Sequence, residues 1–105
     1  MCFSGDLDEL TRTDNAQPAI LTVSYAMVRA LFDDYGIYPA VLAGHSLGEY
    51  TALVCSGAMQ FGDAVRIVRK RGQLMQAAAT GPSGMAAVVG SNVTYVEEVC
   101  RAVSS

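Results

Sequence analysis

The chain is expected to fold as an α/β protein, on two observations. Short apolar runs bounded by turn residues alternate with longer segments whose apolar residues recur every three or four positions. One short run also ends in Gly44-His45-Ser46-Leu47-Gly48 and passes directly into a helical pattern, the signature of a sharp strand-to-helix turn. The order along the chain reads helix–strand–helix–helix–strand–helix.

Each element has its own justification. Residues 1–14 are polar and acidic with no clear period. Gln17-Pro18 then opens a helical pattern, because proline suits a first helical turn. Ile20, Val23, Met27, Val28 and Leu31 recur at helical spacing, and Gly36 supplies the stop. The pattern is apolar nearly all round, which predicts a buried helix. After the turn at Pro39, residues 40–43 read as a short buried strand, and Leu47 to Ser56 as a helix ended near Gly57. The segment from Met59 to Gly81 predicts a third long helix, with Phe61, Val65, Val68, Leu74 and Met75 on one side and charges on the other. Gly72 inside it costs about 1 kcal/mol relative to alanine, so a close neighbour is expected there. "TGPSG" (residues 80–84) breaks the pattern, "MAAVVG" (85–90) reads as a strand, and "TYVEEVCRAV" (94–103) as an amphipathic helix. The break divides the chain into units 1–84 and 85–105, the second of which looks unfinished.

Composition excludes several classes of function. Hydrophobic residues make up 51% of the 105 residues and charged residues 16%, which excludes disorder and suggests apolar faces that expect more partners. The net charge is −3, and the only basic cluster is the Arg66, Arg69, Lys70 and Arg71 run, so nucleic-acid binding has little support. Such a run ordinarily marks a solvated helix face. Three widely spaced cysteines without a C-x-x-C pair provide neither a metal site nor a disulfide framework, and suit a reducing compartment. No signal-peptide pattern opens the chain and no apolar run reaches the ~18–20 residues that span a bilayer. The expectation is a cytoplasmic, soluble protein with no membrane partner.

The chemistry points to Ser46. In a G-x-S-x-G turn the serine occupies a strained bend that lifts Oγ to the N-terminus of the following helix. Unsatisfied N–H groups and the positive end of the helix dipole favour developing negative charge there. The N–H of the next residue, Leu47, can donate to an oxyanion, a contact worth roughly 2.7–4 kcal/mol in a transition state. A serine hydroxyl also needs a base, commonly histidine. The only histidine is His45, and neighbouring side chains on a tight bend point apart, so His45 is expected to be a packed or hydrogen-bonded turn residue.

"GHSLGEYTALVCSGAM", followed by "FGDAVRIVRKRGQLMQ" and "GMAAVVG", resembles the malonyl-CoA:acyl-carrier-protein transacylase family, which includes the acyltransferase domains of fatty-acid and polyketide synthases. The resemblance runs from about Asn15 to Val103. It implies transfer of a malonyl group from malonyl-CoA to the phosphopantetheine thiol of acyl carrier protein through a malonyl-serine intermediate, without metal or bound cofactor. Ser46 would be the nucleophile, Leu47 N–H an oxyanion donor, Arg71 the partner of the malonyl carboxylate, and Gln17 a residue near the active site. A planar guanidinium can grip a carboxylate through two parallel hydrogen bonds, which a lysine cannot. The fold implied is part of an α/β-hydrolase-like large subdomain (1–84) with the start of a ferredoxin-like small subdomain (85–105). The family's glutamine loop has no counterpart in this sequence, and its catalytic histidine would lie beyond Ser105. The chain would then be an internal segment that needs the missing parts of its own domain as partners and is inactive alone. Two other readings stay open: a serine hydrolase of the α/β type, and a non-catalytic fragment.

Overall fold

A computed structural model describes residues 2–82, 84 and 86–104, and among these described residues five helices form. A one-turn helix, α1 (Leu7–Thr11), is capped by the Asp6 carboxylate, which accepts from the Asp8 N–H at 2.9 Å. It has too few residues for a period, so the sequence pattern does not show it. The long helix α2 (Thr13–Tyr35) follows directly and ends at Gly36, in the left-handed conformation, whose N–H returns to the last-turn carbonyls. It starts four residues earlier than Gln17, leaving Pro18 inside the helix. Tertiary contacts account for the early start. The Asn15 amide donates to the Glu9 carbonyl at 2.9 Å, and Arg69 donates to the Asn15 side chain at 3.1 Å. These bonds hold the first turn where local propensity alone does not specify it.

Helices α3 (Gly48–Cys55) and α4 (Phe61–Ala78) pack against α2 and against each other. The core lies at their junction, where Leu21 of α2, Val54 of α3, and Ala64 and Val68 of α4 are buried. Tyr25 and Phe61 close one side of it, their rings stacked 4.9 Å apart at 18°. Helices α2 and α4 approach closely at Gly72, as its place inside a helix suggested. A Cβ there would fall 2.6 Å from Asp14 Cα and 2.7 Å from the Thr13 carbonyl oxygen.

Three expectations need correction. The α2 helix is not buried all round: Leu21 faces the core, but Ile20, Val23, Met27 and Leu31 are exposed, Met27 by 64%. No strand forms among the described residues. Residues 40–43 and 86–89 carry no ladder, with Val41 83% and Val89 91% exposed. A strand exists only through hydrogen bonds to a neighbour, and neither segment has one. Met85, the start of the second expected strand, and Ser83, within the 80–84 break, lie outside the described residues.

Helix α5 (Val93–Val103) stands apart. Asn92 caps it, accepting from the Thr94 N–H at 2.9 Å, but among the described residues none of it is buried and it packs on no other helix. The radius of gyration, 17.2 Å, exceeds the roughly 13 Å of a compact chain of this length accordingly.

Candidate active site

Ser46 has φ +55°, the single positive φ at a non-glycine position among the described residues. Such a backbone costs on the order of 1–3 kcal/mol and persists only where the surroundings impose it. Gly44 shows how it is imposed. A Cβ at Gly44 would fall 2.0 Å from the backbone carbon of Gly48 and 2.3 Å from the Glu49 nitrogen, so the chain doubles back onto α3 against a residue without a side chain. The second flanking glycine differs, since a Cβ at Gly48 would meet nothing within 4 Å. The tight turn therefore rests on Gly44 alone of the two.

The bend leaves Ser46 exposed immediately before α3. Leu47 caps that helix, and among the described residues its N–H has no hydrogen-bond acceptor. Carbonyls of His45, Ser46 and Leu47 accept from the N–H groups of Gly48, Glu49 and Tyr50, so the turn runs into the helix without a gap.

Arg71 reaches this serine from α4. Its Nη2 donates to Ser46 Oγ at 2.9 Å and its Nη1 donates to Gln17 Oε1 at 2.5 Å. Three residues that the sequence marked separately, on α2, in the turn and on α4, thus form one hydrogen-bonded chain. Gln17 is 6% exposed, whereas the guanidinium is half-buried beside the open serine. A guanidinium carries five N–H donors and stays protonated, so Arg71 keeps three for an anion and cannot accept the serine proton. Because Oγ accepts from Arg71, its own hydrogen remains available for a base. His45 is exposed, and no hydrogen bond among the described residues joins it to Ser46.

The remaining basic residues have separate fates. Arg66 pairs with Asp63 of its own helix at 2.6 Å, as a solvated face would. Arg69 instead reaches back to Asn15, which the charge run does not reveal. Thr13 and Met75 also touch the site, through Gln17, and sequence reasoning missed both. The signal available was spacing: Thr13 lies four residues before Gln17 and Met75 four after Arg71, one helical turn in each case. Among the described residues no group of acidic, histidine and cysteine side chains could hold a metal ion, and no helix is long and apolar enough to cross a membrane.

The site is thus a strained serine turn that opens a helix, with an arginine bonded to the serine hydroxyl. The chain belongs to the acyl transferase domain family, whose pattern it matches over residues 3–104. It is 49% identical to a malonyl CoA-acyl carrier protein transacylase of Bacillus subtilis, across 100% of this chain and 26% of the relative. The corresponding protein of Salmonella typhimurium is 46% identical over 92% of this chain and 32% of its own length. A crystal structure of an acyl carrier protein S-malonyltransferase from Vibrio cholerae superposes with a TM-score of 0.68 at 49% identity, covering 77% of this chain and 26% of that one. The chain thus shares its fold with a segment of that enzyme, and spans about a quarter to a third of the length of these relatives.

Proposed function

We propose that this chain is the nucleophile-bearing segment of a malonyl-CoA:acyl-carrier-protein transacylase. The observation that carries the reading is the Arg71 guanidinium, bonded at once to Ser46 Oγ and to the buried Gln17 amide. It sets a fixed cation beside the nucleophile, where an acyl group ending in a carboxylate needs its partner. In the first half-reaction Ser46 Oγ attacks the thioester carbon of malonyl-CoA. The Oγ–C bond forms, the C–S bond breaks, and the serine proton passes through a base to the departing coenzyme A thiolate. In the second, the carrier protein's phosphopantetheine thiol attacks the ester carbon. Its S–C bond forms, the Oγ–C bond breaks, and the proton returns to Oγ. Leu47 N–H is the oxyanion donor of both steps, and Arg71 holds the carboxylate. The base these steps require is the catalytic histidine that the family resemblance implies.

The segment reading has structural support. The exposed apolar residues of α2 and the unladdered 40–43 and 86–89 segments are surfaces that further strands and helices of an α/β-hydrolase-like subdomain would cover. The isolation of α5 supports assigning residues 1–84 to that large subdomain and 85–105 to the start of a ferredoxin-like one. A hydrolase of neutral esters has no use for a cation bonded to its serine, which counts against that alternative. The non-catalytic reading has one observation in its favour for the 105 residues by themselves: no base contacts Ser46 Oγ among the described residues.

The test is intact-mass analysis of the whole acyltransferase after incubation with malonyl-CoA and no carrier protein. One malonyl adduct is expected, absent in Ser46→Ala. An adduct that persists in that variant rejects Ser46 as the nucleophile.

A further inference from the structure

Gln17 is held at both ends of its amide. The Oε1 atom accepts from Arg71, while Nε2 donates to Thr13 Oγ1 at 2.8 Å and to Met75 Sδ at 3.4 Å. At 6% exposure the amide cannot exchange these partners for water, so each N–H needs an acceptor from the protein. Both are met only in this orientation. An amide turned by half a rotation would set its NH2 group against the guanidinium, donor facing donor, and leave the Arg71 N–H without an acceptor. The two holders come from the two packed helices, Thr13 one turn before Gln17 on α2 and Met75 one turn after Arg71 on α4. Thr13 is itself pinned, since its carbonyl lies against Gly72, the residue after Arg71.

We propose that Thr13, assisted by Met75, is a positioning residue for the Arg71 guanidinium. It fixes the Gln17 amide with Oε1 toward Arg71, so that the guanidinium stays beside Ser46 and selects acyl groups bearing a carboxylate. The proposal rests on the carboxylate-binding role of Arg71 stated above. Thr13 acts through Gln17 and has no hydrogen bond to Ser46 among the described residues, so its effect is on selectivity rather than on the chemical step.

The experiment compares kcat/KM for malonyl-CoA with that for acetyl-CoA, which has no carboxylate, in the whole acyltransferase. Thr13→Val, which removes the hydroxyl at similar volume, is expected to lower the malonyl-to-acetyl ratio about five- to tenfold, mainly through a higher KM for malonyl-CoA. Thr13→Ser keeps the hydroxyl and is expected to stay within about twofold of the parent. Equal losses on both substrates, or a serine variant no better than valine, would overturn the proposal. Arg71→Ala separates the two readings. If its ratio collapses while that of Thr13→Val holds, only the positioning role fails. If the Arg71→Ala ratio does not move, carboxylate binding fails and the positioning role with it. Should Thr13→Val not fold, Met75→Leu removes the sulfur acceptor at near-constant volume. A fall of about two- to threefold is then expected, and an unchanged ratio overturns the proposal.

Discussion

The α2–α4 junction and helix α5 start from similar sequence material and end differently. Helix α5 separates its apolar and polar sides more sharply than α2. Yet α2 and α4 bury Leu21, Ala64 and Val68 and bring Gln17 to Arg71, whereas α5 buries nothing. An apolar stripe states a need for a partner without supplying one. Where both partners lie within the chain the helices close on each other and a site forms; where one is missing, the helix keeps its cap and its hydrogen bonds but contributes no packing energy.

The largest expected difference comes from truncating one aliphatic side chain to alanine in each region. Leu21→Ala, in the core, should cost about 2–5 kcal/mol, enough to remove the cooperative unfolding transition of so small a core. Val99→Ala, on α5 and 46% exposed, should stay within about 0.5 kcal/mol. Urea titrations of the 105-residue chain followed by circular dichroism read both. Equal costs would mean that α5 packs on the rest of the chain in solution, and the contrast would collapse.

A smaller effect sharpens the account of the junction. Gly72→Ala places its Cβ 2.6 Å from Asp14 Cα, a backbone atom that cannot swing away. The crowding should cost about 1–3 kcal/mol net, outweighing the ~1 kcal/mol that alanine gains as a helix former. A stabilised variant in the same titration would show that α2 and α4 can part at this point without loss.

The smallest difference is chemical. Burial pushes the Cys55 thiol of α3 above its ordinary range, while Cys100 on α5 is exposed. At neutral pH iodoacetamide should therefore modify Cys100 before Cys55, because the thiolate is the nucleophile. The linkage has a definite sign. A raised folded pKa gives stability that is present below the ordinary thiol pKa and lost as pH rises through the folded value, so any contribution of Cys55 disappears on the alkaline side. Equal labelling rates at both cysteines, read by peptide mass spectrometry, would place Cys55 in an environment as open as that of Cys100.

The sequence by itself determined the elements whose causes are local. Gly36 stops α2, the charged and apolar sides of α4 follow its period, the amphipathic pattern marks α5, and Gly44 and Ser46 mark the bend. The bend at Ser46 was legible too, because a G-x-S-x-G turn is a specific residue choice, whereas Arg71 was marked only through the family resemblance. Tertiary structure decided whatever depends on residues far apart in the chain. Arg71 and Gln17 are 54 positions apart, and their hydrogen bond exists only because Gly72 lets α4 settle against Thr13 and Asp14. The same contacts begin α2 at Thr13 in spite of Pro18, and they recruit Arg69 from a run of surface charges to the buried Asn15. The two apolar runs read as strands carry the right composition for that state, but a ladder needs a neighbouring strand, and among the described residues none lies beside 40–43 or 86–89. Local preference selects a helix or a bend residue by residue, while strand pairing, burial and the meeting of Ser46, Arg71 and Gln17 are properties of pairs that only folding brings together.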